Sequence, residues 1–290
     1  MKNYFLAFIL FCVSTKLFAQ YPESQIQPLI LKSGNDEYAI IQINKSDDLI
    51  RSKYFAGYLD NNSIEKRFQS WSRGKKLVFY SSGAYMSNCN IPEQSTPIGL
   101  CIDNGNLINR NLILGKMDAL VLFYSNGGID VTNINDGNLK ISIDNISVSF
   151  DIRKELDKGK FLKWAEANEA TVFQTHLLAY KDELLTYESG GNQRERRFLI
   201  AANGRDGKLY HLIMNTKSPL TLQESATNAF NFLKEEFEFE EIISMINLDV
   251  GCQDVFKFFN SDGQPYKEDS WNGPVPMSRA INLIVYYYIN

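Results

Sequence analysis

The sequence predicts an α+β fold: a strand-rich, mixed-sheet core carrying a few packed helices. Three observations predict it. Short apolar-polar alternating segments recur along the chain, divided by Gly and Asn turn signals. Stretches of helical periodicity fall between groups of strands rather than alternating with them one for one. One short run, Ile242 to Leu248, is apolar almost throughout, the pattern of a strand covered on both faces.

Tyr38 to Ile43 reads as a strand, and Ser63 to Trp71 as a Ser-capped helix with Ile64, Phe68 and Trp71 on one face. Lys76 to Tyr80 reads as a strand running into Ser81-Ser82-Gly83-Ala84-Tyr85. Asp118 to Ser125 and Gly128 to Val131 flank Asn126-Gly127, a hairpin signal. Ile141 to Ile152 alternates as one strand would, and Phe161 to Ala167 reads as helix. Val172 to Tyr180 reads as one strand. Arg197 to Met214 is strand folded back at Gly204-Arg205-Asp206-Gly207. Thr221 to Glu236 is the clearest helix, with Thr221 and Glu224 spaced for a capping box and an apolar stripe behind them. Ile281 to Ile289, β-branched and aromatic, reads as a final strand.

Residues 1–19 have the parts of a secretory leader: Lys2, the apolar Phe5 to Val13, and Ala19 before Gln20. The apolar run falls short of the ~20 residues a membrane-spanning helix needs. Export to the periplasm or beyond is therefore expected, with no membrane span after cleavage. Residues 20–37 are expected to be a peripheral lead-in and 38–290 a single domain. Loss of Lys2 and Lys16 would take the net charge from −4 to −6. A mildly acidic chain without a basic block argues against nucleic acid as a partner. An aromatic share of 13% suits a packed core and excludes a disordered tail. Two histidines, no CxxC pair and scattered cysteines give no basis for a metal site, and no cofactor motif is present. Cys89 and Cys101 are candidates for a bridge in an oxidising compartment, leaving Cys252 over.

Four places are suited to chemistry. Ser81 and Ser82 stand in a small-residue turn able to present N–H groups. Pro97 to Gly105 reads as a strand ending in an Asn-Gly turn. Gln174 and His176 lie in a strand, followed by Arg194, Arg196 and Arg197; arginine suits phosphate or carboxylate, and histidine titrates near neutrality. Asp249 closes the buried strand before Gly251, a position that can set an acid at a pocket mouth. Each has a plainer reading as a turn, a solvated charge cluster or a cap.

In this order the four places resemble the phosphodiester glycosidase family. The segment Pro97-Ile98-Gly99-Leu100 through Asn104-Gly105, the hairpin opened by Arg197 and turned at Asp206-Gly207, and the helix leading to Leu248-Asp249 carry the resemblance, over roughly residues 38 to 290. It implies a hydrolase of a sugar-phosphate diester or related glycosidic bond. Asp249 and Arg197 would be catalytic, and Ser81, Ser82, Gln174, His176 and Arg196 would bind substrate. Asp103 and Asp254 are the weaker candidates for a second carboxylate. Departures occur where Ser81 replaces Asn, where Thr175-His176-Leu177 replaces Ser-Gly-Pro, and where Val250-Gly251-Cys252-Gln253 replaces Gly-Gly-x-Ser. They leave open a catalytically impaired relative that binds a glycan or glycoconjugate in the envelope, or a structural envelope protein.

Overall fold

The computed structural model describes residues 25–289, apart from 47, 58–63, 91–94, 144–145, 186–191, 238 and 252. The expected leader lies outside the described residues. In chain order the elements are β1 (Ile26–Ser33), β2 (Asp36–Asn44), β3 (Ile50–Ala56), α1 (Ile64–Ser72), β4 (Leu77–Ser81), β5 (Cys101–Asp103) and β6 (Asn106–Asn109). Next come β7 (Ala119–Phe123), β8 (Ile129–Asn133), β9 (Leu139–Ile143), β10 (Ile146–Phe150), α2 (Glu155–Ala167), β11 (Thr171–Thr175), β12 (Leu177–Tyr180) and β13 (Glu183–Leu184). The last are β14 (Arg197–Asn203), β15 (Leu209–Thr216), α3 (Leu222–Glu236), β16 (Glu241–Leu248), β17 (Phe256–Phe258) and β18 (Asn282–Tyr288).

The α+β class holds, and its logic is three larger sheets around one core, with β9 and β10 forming a separate two-stranded sheet. The seven-stranded sheet runs β1-β2-β15-β14-β16-β12-β13, the five-stranded sheet β6-β5-β11-β7-β8, and the four-stranded sheet β17-β4-β18-β3. Each sends one face inward. Ile41, Leu199 and Ile246 meet Tyr54, Phe79 and Ile284, and these meet Val121 and Phe173. Tyr54 stacks on Phe173 at 4.7 Å and Phe79 on Tyr286 at 4.7 Å. Burial of each such side chain stabilises by about 1.5–3 kcal/mol.

Each outer face is covered by one helix. α3 lays Leu222, Ala226, Ala229 and Leu233 on Phe198, Ile200 and Met245. α2 lays Phe161 and Ala165 on Leu120 and Val172. α1 lays Ile64 and Phe68 on Phe55 and Leu283. The capping box of α3 forms: Thr221 Oγ1 accepts from Glu224 N–H at 3.2 Å, and Glu224 Oε2 accepts from Thr221 N–H at 3.0 Å.

Four expectations change. The ladders among the described residues are antiparallel, where a mixed sheet was expected. Residues 26–33, expected as a lead-in, form the edge strand β1, paired with β2 along its whole length. Ile141 to Ile152 holds the end of one hairpin strand and all of the next: apolar residues fall at positions 139, 141 and 143 in β9 and at 146, 148 and 150 in β10, and this shift of phase marks the change of strand. Val172 to Tyr180 is also two strands: β11 belongs to the five-stranded sheet and β12 to the seven-stranded one, and the chain changes sheets at His176.

The Cys89–Cys101 bridge is also corrected. Cys89 is disulfide-bonded, but Cys101 is a free, wholly buried thiol facing the central core, 3.8 Å from the Tyr54 hydroxyl. Its place in a strand hydrogen-bonded on both sides fixes that direction. Among the described residues no helix is long and apolar enough to cross a membrane.

Candidate functional site

The site lies where β14 begins and β16 ends. Their antiparallel register sets Arg197 opposite Leu248 and Phe198 opposite Asn247. Side chains alternate faces along a strand, so neighbouring arginines at 196 and 197 part company. Arg197 goes inward with Leu199. Arg196 goes to the outer side with Phe198, the side on which Asn247 and Asp249 follow Met245.

Asp249 is 3% exposed. Its backbone N–H donates to Gly83 O at 3.0 Å, and its carbonyl accepts from Ser82 Oγ at 2.5 Å. The strand end is thereby tied to the turn after β4. The carboxylate accepts from Gly251 N–H at 2.8 Å and from Gln253 Nε2 at 3.1 Å. Burial raises its pKa above the ordinary value, and these donors together with Arg194 oppose the rise. Gly251 leaves room for this packing: a Cβ there would stand 3.0 Å from Asp249 Oδ1 and 3.1 Å from Arg194 Nη1.

Tyr85 caps the outer cluster. Its hydroxyl accepts from Asn247 Nδ2, and its ring meets His176 edge-on at 5.3 Å. Burial pushes its pKa well up, with Asp249 adding to the rise and Arg196 and Arg194 opposing it. His176 is placed by the crossover. Its carbonyl accepts from Asn247 N–H at 3.1 Å, and its Nδ1 lies 2.5 Å from Lys116 O. A carbonyl only accepts, so Nδ1 carries the proton. Burial lowers the imidazole pKa and Arg196 lowers it further, so the ring is neutral near pH 7.

On the inner side Arg197 is 4% exposed. Its Nε donates to Asn215 Oδ1 at 2.6 Å, its Nη1 to Asp254 Oδ1 at 2.8 Å and to Ser81 Oγ at 3.4 Å. The guanidinium lies 4.2 Å over the Phe256 ring. A cleft of about 530 Å³ opens beside both clusters, lined by Arg194, Arg196, Arg197, Val250 and Asp254 among others.

Of the residues singled out from the sequence, Ser81, Ser82, His176, Arg196, Arg197 and Asp249 gather here, with Asp254. Gln174 sits one residue before Thr175, whose Oγ1 donates to Asn247 O at 2.6 Å. The Gln174 amide itself is spent on backbone: Oε1 accepts from Leu100 N–H at 3.0 Å and Ile113 N–H at 3.1 Å, and Nε2 donates to Ile113 O and Met117 O. It pins the loops that carry Lys116 toward His176. The N–H groups of Gly83 and Ala84, which the small-residue turn was expected to present, both donate to Asn282 Oδ1 at 2.8 Å. Asp103 lies elsewhere, bonded to Arg67 Nη2 at 2.6 Å.

No family model and no curated protein matches the chain. Solved structures are similar to it, two of them over more than nine-tenths of this chain. One is the zebrafish N-acetylglucosamine-1-phosphodiester alpha-N-acetylglucosaminidase catalytic domain, auto-inhibited by its pro-peptide. The TM-score is 0.49 at 13% identity, over 92% of this chain and 83% of that one. The other is a hypothetical protein from Synechocystis, with a TM-score of 0.45 at 11% identity, over 91% of this chain and 62% of that one. At these values neither likeness carries an argument about this chain, and the functional reading rests on its own residues.

Sequence reasoning missed Tyr85 as a member of the site, together with Asn247, Gln253 and Asn282. Asn247 and Asn282 lie at strand ends and Tyr85 and Gln253 in the loops beyond β4 and β16, and nothing in the sequence paired them across 162 to 199 positions.

Proposed function

We propose that the chain is an exported hydrolase of a sugar-phosphate diester or a related glycosidic bond. The observation that carries this reading is Asp249: a buried carboxylate with a raised pKa, held by neutral donors at a strand end beside an arginine-lined cleft. Such a group suits general acid-base work, since it keeps a proton to give to a leaving oxygen and, once ionised, takes one from water. The arginines hold the anionic phosphate, and Tyr85 and His176 orient the sugar. In the reaction the anomeric carbon gains a bond to water oxygen and loses its bond to the phosphate oxygen. The proton freed from water balances the one that the leaving group receives.

The test is hydrolysis of a panel of glycosyl phosphodiesters by the purified chain, with release of free sugar as the readout. Turnover that Asp249→Ala leaves untouched removes Asp249 from the reaction. Glycan binding without turnover would favour the impaired, glycan-binding relative. That reading has its own observation in Val250, which lines the cleft directly after Asp249.

A further inference from the structure

Two arginines at this sheet edge differ in what is left for a ligand. Arg197 has an acidic partner in Asp254 and an amide partner in Asn215, and among the described residues its Nε and Nη1 are taken. Arg196 is 8% exposed, yet makes no ion pair among the described residues. Its Nη2 donates to a backbone carbonyl, that of Asn192, at 2.7 Å, and its Nε is buried with no hydrogen-bond partner among them. A buried guanidinium lacking both a carboxylate and a partner for one donor is costly unless something else supplies the acceptor. Arg194, two residues earlier, makes no ion pair among the described residues either. Its Nη1 lies over Gly251, at the edge of the Asp249 carboxylate.

The positions of the two side chains are fixed from the backbone. Arg196 N–H donates to Thr216 Oγ1 at 2.8 Å, and its carbonyl accepts from Thr216 N–H at 2.8 Å. Arg194 N–H donates to Leu220 O at 3.1 Å. The segment before β14 is thus an extension of the strand, and a spacing of two puts Arg194 and Arg196 on one side. Both line the cleft, both act electrostatically on Tyr85, and each depresses the ionisation of a neighbour: Arg194 that of Arg196, and Arg196 that of His176. Two cations held side by side, one with a buried donor that has no partner among the described residues, are arranged for an anion with several acceptor oxygens.

We infer that Arg194 and Arg196 form the clamp for a phosphate group, and that Arg197 is a positioning residue that braces β14 against Asp254. The inference rests on the hydrolase reading for the identity of the whole substrate, but not for the anion. Guanidinium forks suit a tetrahedral phosphate better than a point charge would, and the Asn247 Oδ1, also buried without a partner among the described residues, supplies an acceptor for a hydroxyl next to that phosphate.

The experiment uses inorganic phosphate as the probe. Calorimetric titration of the purified chain is expected to show binding, and phosphate is expected to raise its Tm. Arg196→Gln and Arg194→Gln are each expected to weaken phosphate affinity by about tenfold or more, as for loss of a charge-assisted bond, with Tm in phosphate-free buffer nearly unchanged. Arg196→Lys is expected to weaken binding too, since the ammonium does not replace Nε. Arg197→Lys keeps the charge and the fold. It is expected to lower Tm while leaving phosphate affinity within about threefold, the behaviour of a brace rather than a ligand. Wild-type affinity in Arg196→Gln, or no phosphate binding by the wild type, overturns the clamp. Phosphate binding lost in Arg196→Gln without hydrolysis of any panel substrate supports the clamp and removes the hydrolase reading. Hydrolysis together with wild-type binding in Arg196→Gln does the reverse.

Discussion

Asp103 and Asp249 are two buried aspartates at strand ends, 2% and 3% exposed, and they are put to opposite uses. Asp103 closes β5 and meets Arg67 Nη2 at 2.6 Å and Ala56 N–H at 3.0 Å. Asp249 follows β16 and has neutral donors, Gly251 N–H and Gln253 Nε2, with Arg194 acting on it electrostatically. An ion pair spends a carboxylate on the fold. Neutral donors satisfy its lone pairs without fixing its charge, so burial can raise its pKa. The difference between structure and chemistry therefore lies in the partner, since burial is the same.

The largest effect that separates the two is on turnover. Asp249→Asn keeps the shape of the side chain and is expected to lower hydrolysis on the order of 10²–10⁴-fold, the usual worth of a positioned acid or base. Asp103→Ala is expected to leave turnover of the folded protein near wild type and to cost about 3 kcal/mol in denaturant unfolding, because the Arg67 guanidinium loses its partner. The Arg67 side chain is 23% exposed, which keeps the cost at the lower end of that for a buried pair. Equal losses of turnover in the two variants would erase the distinction.

A smaller effect comes from altering the neutral donors alone. Gln253 is wholly buried and joins three elements: Nε2 donates to Ala84 O at 2.8 Å and to Asp249 Oδ2 at 3.1 Å, and Oε1 accepts from Ile281 N–H at 3.2 Å. Gln253→Leu is expected to destabilise by about 2 kcal/mol, chiefly through the buried groups left unpaired. It also removes a bond that favours the ionised form of Asp249. The pH-rate profile is therefore expected to move to higher pH on the limb that Asp249 sets. A profile unmoved in a folded variant would mean that another group sets that limb.

The same contrast marks what the sequence could and could not show. The Thr221–Glu224 cap, the Asn126-Gly127 hairpin and the apolar run into Asp249 are local, because their turn residues, caps and periods lie within a few positions. The sheet change at His176 was hidden. Strand-forming residues flank Gln174-Thr175-His176 from Val172 to Tyr180 whether they belong to one sheet or two, and only the partners across the ladder tell the two apart. The roles of Arg196 and Arg197 were equally hidden. In a strand, adjacent side chains take opposite faces, so one residue of register decides which arginine finds Asp254 and which has an Nε without a hydrogen-bond partner among the described residues. A motif comparison marks Arg197, whereas the geometry distinguishes Arg196. Asp249 was legible as an acid at a strand end, but its neutral partners, Gly251 N–H and Gln253 Nε2, were not.

The smallest effect is the pH dependence of stability, and it tests the raised pKa of Asp249 without any substrate. The folded pKa lies above the ordinary 3.8, the value about which the unfolded chain titrates. Between the two values the folded protein keeps a proton that the unfolded chain has released. Stability therefore falls as pH rises through that window, because fewer protons are bound in the unfolded state. The contribution is fully present below the unfolded pKa and is lost as pH passes the folded one. Asp249→Asn carries no ionisable group at this position, so all other titrations cancel when the two proteins are compared. Unfolding free energies measured from about pH 4 upward are expected to show wild type losing ground to the Asp249→Asn variant as pH rises, then running parallel to it. A wild type that gains ground over the same range would mean that the folded state favours the ionised form of Asp249, and the raised pKa would be refuted.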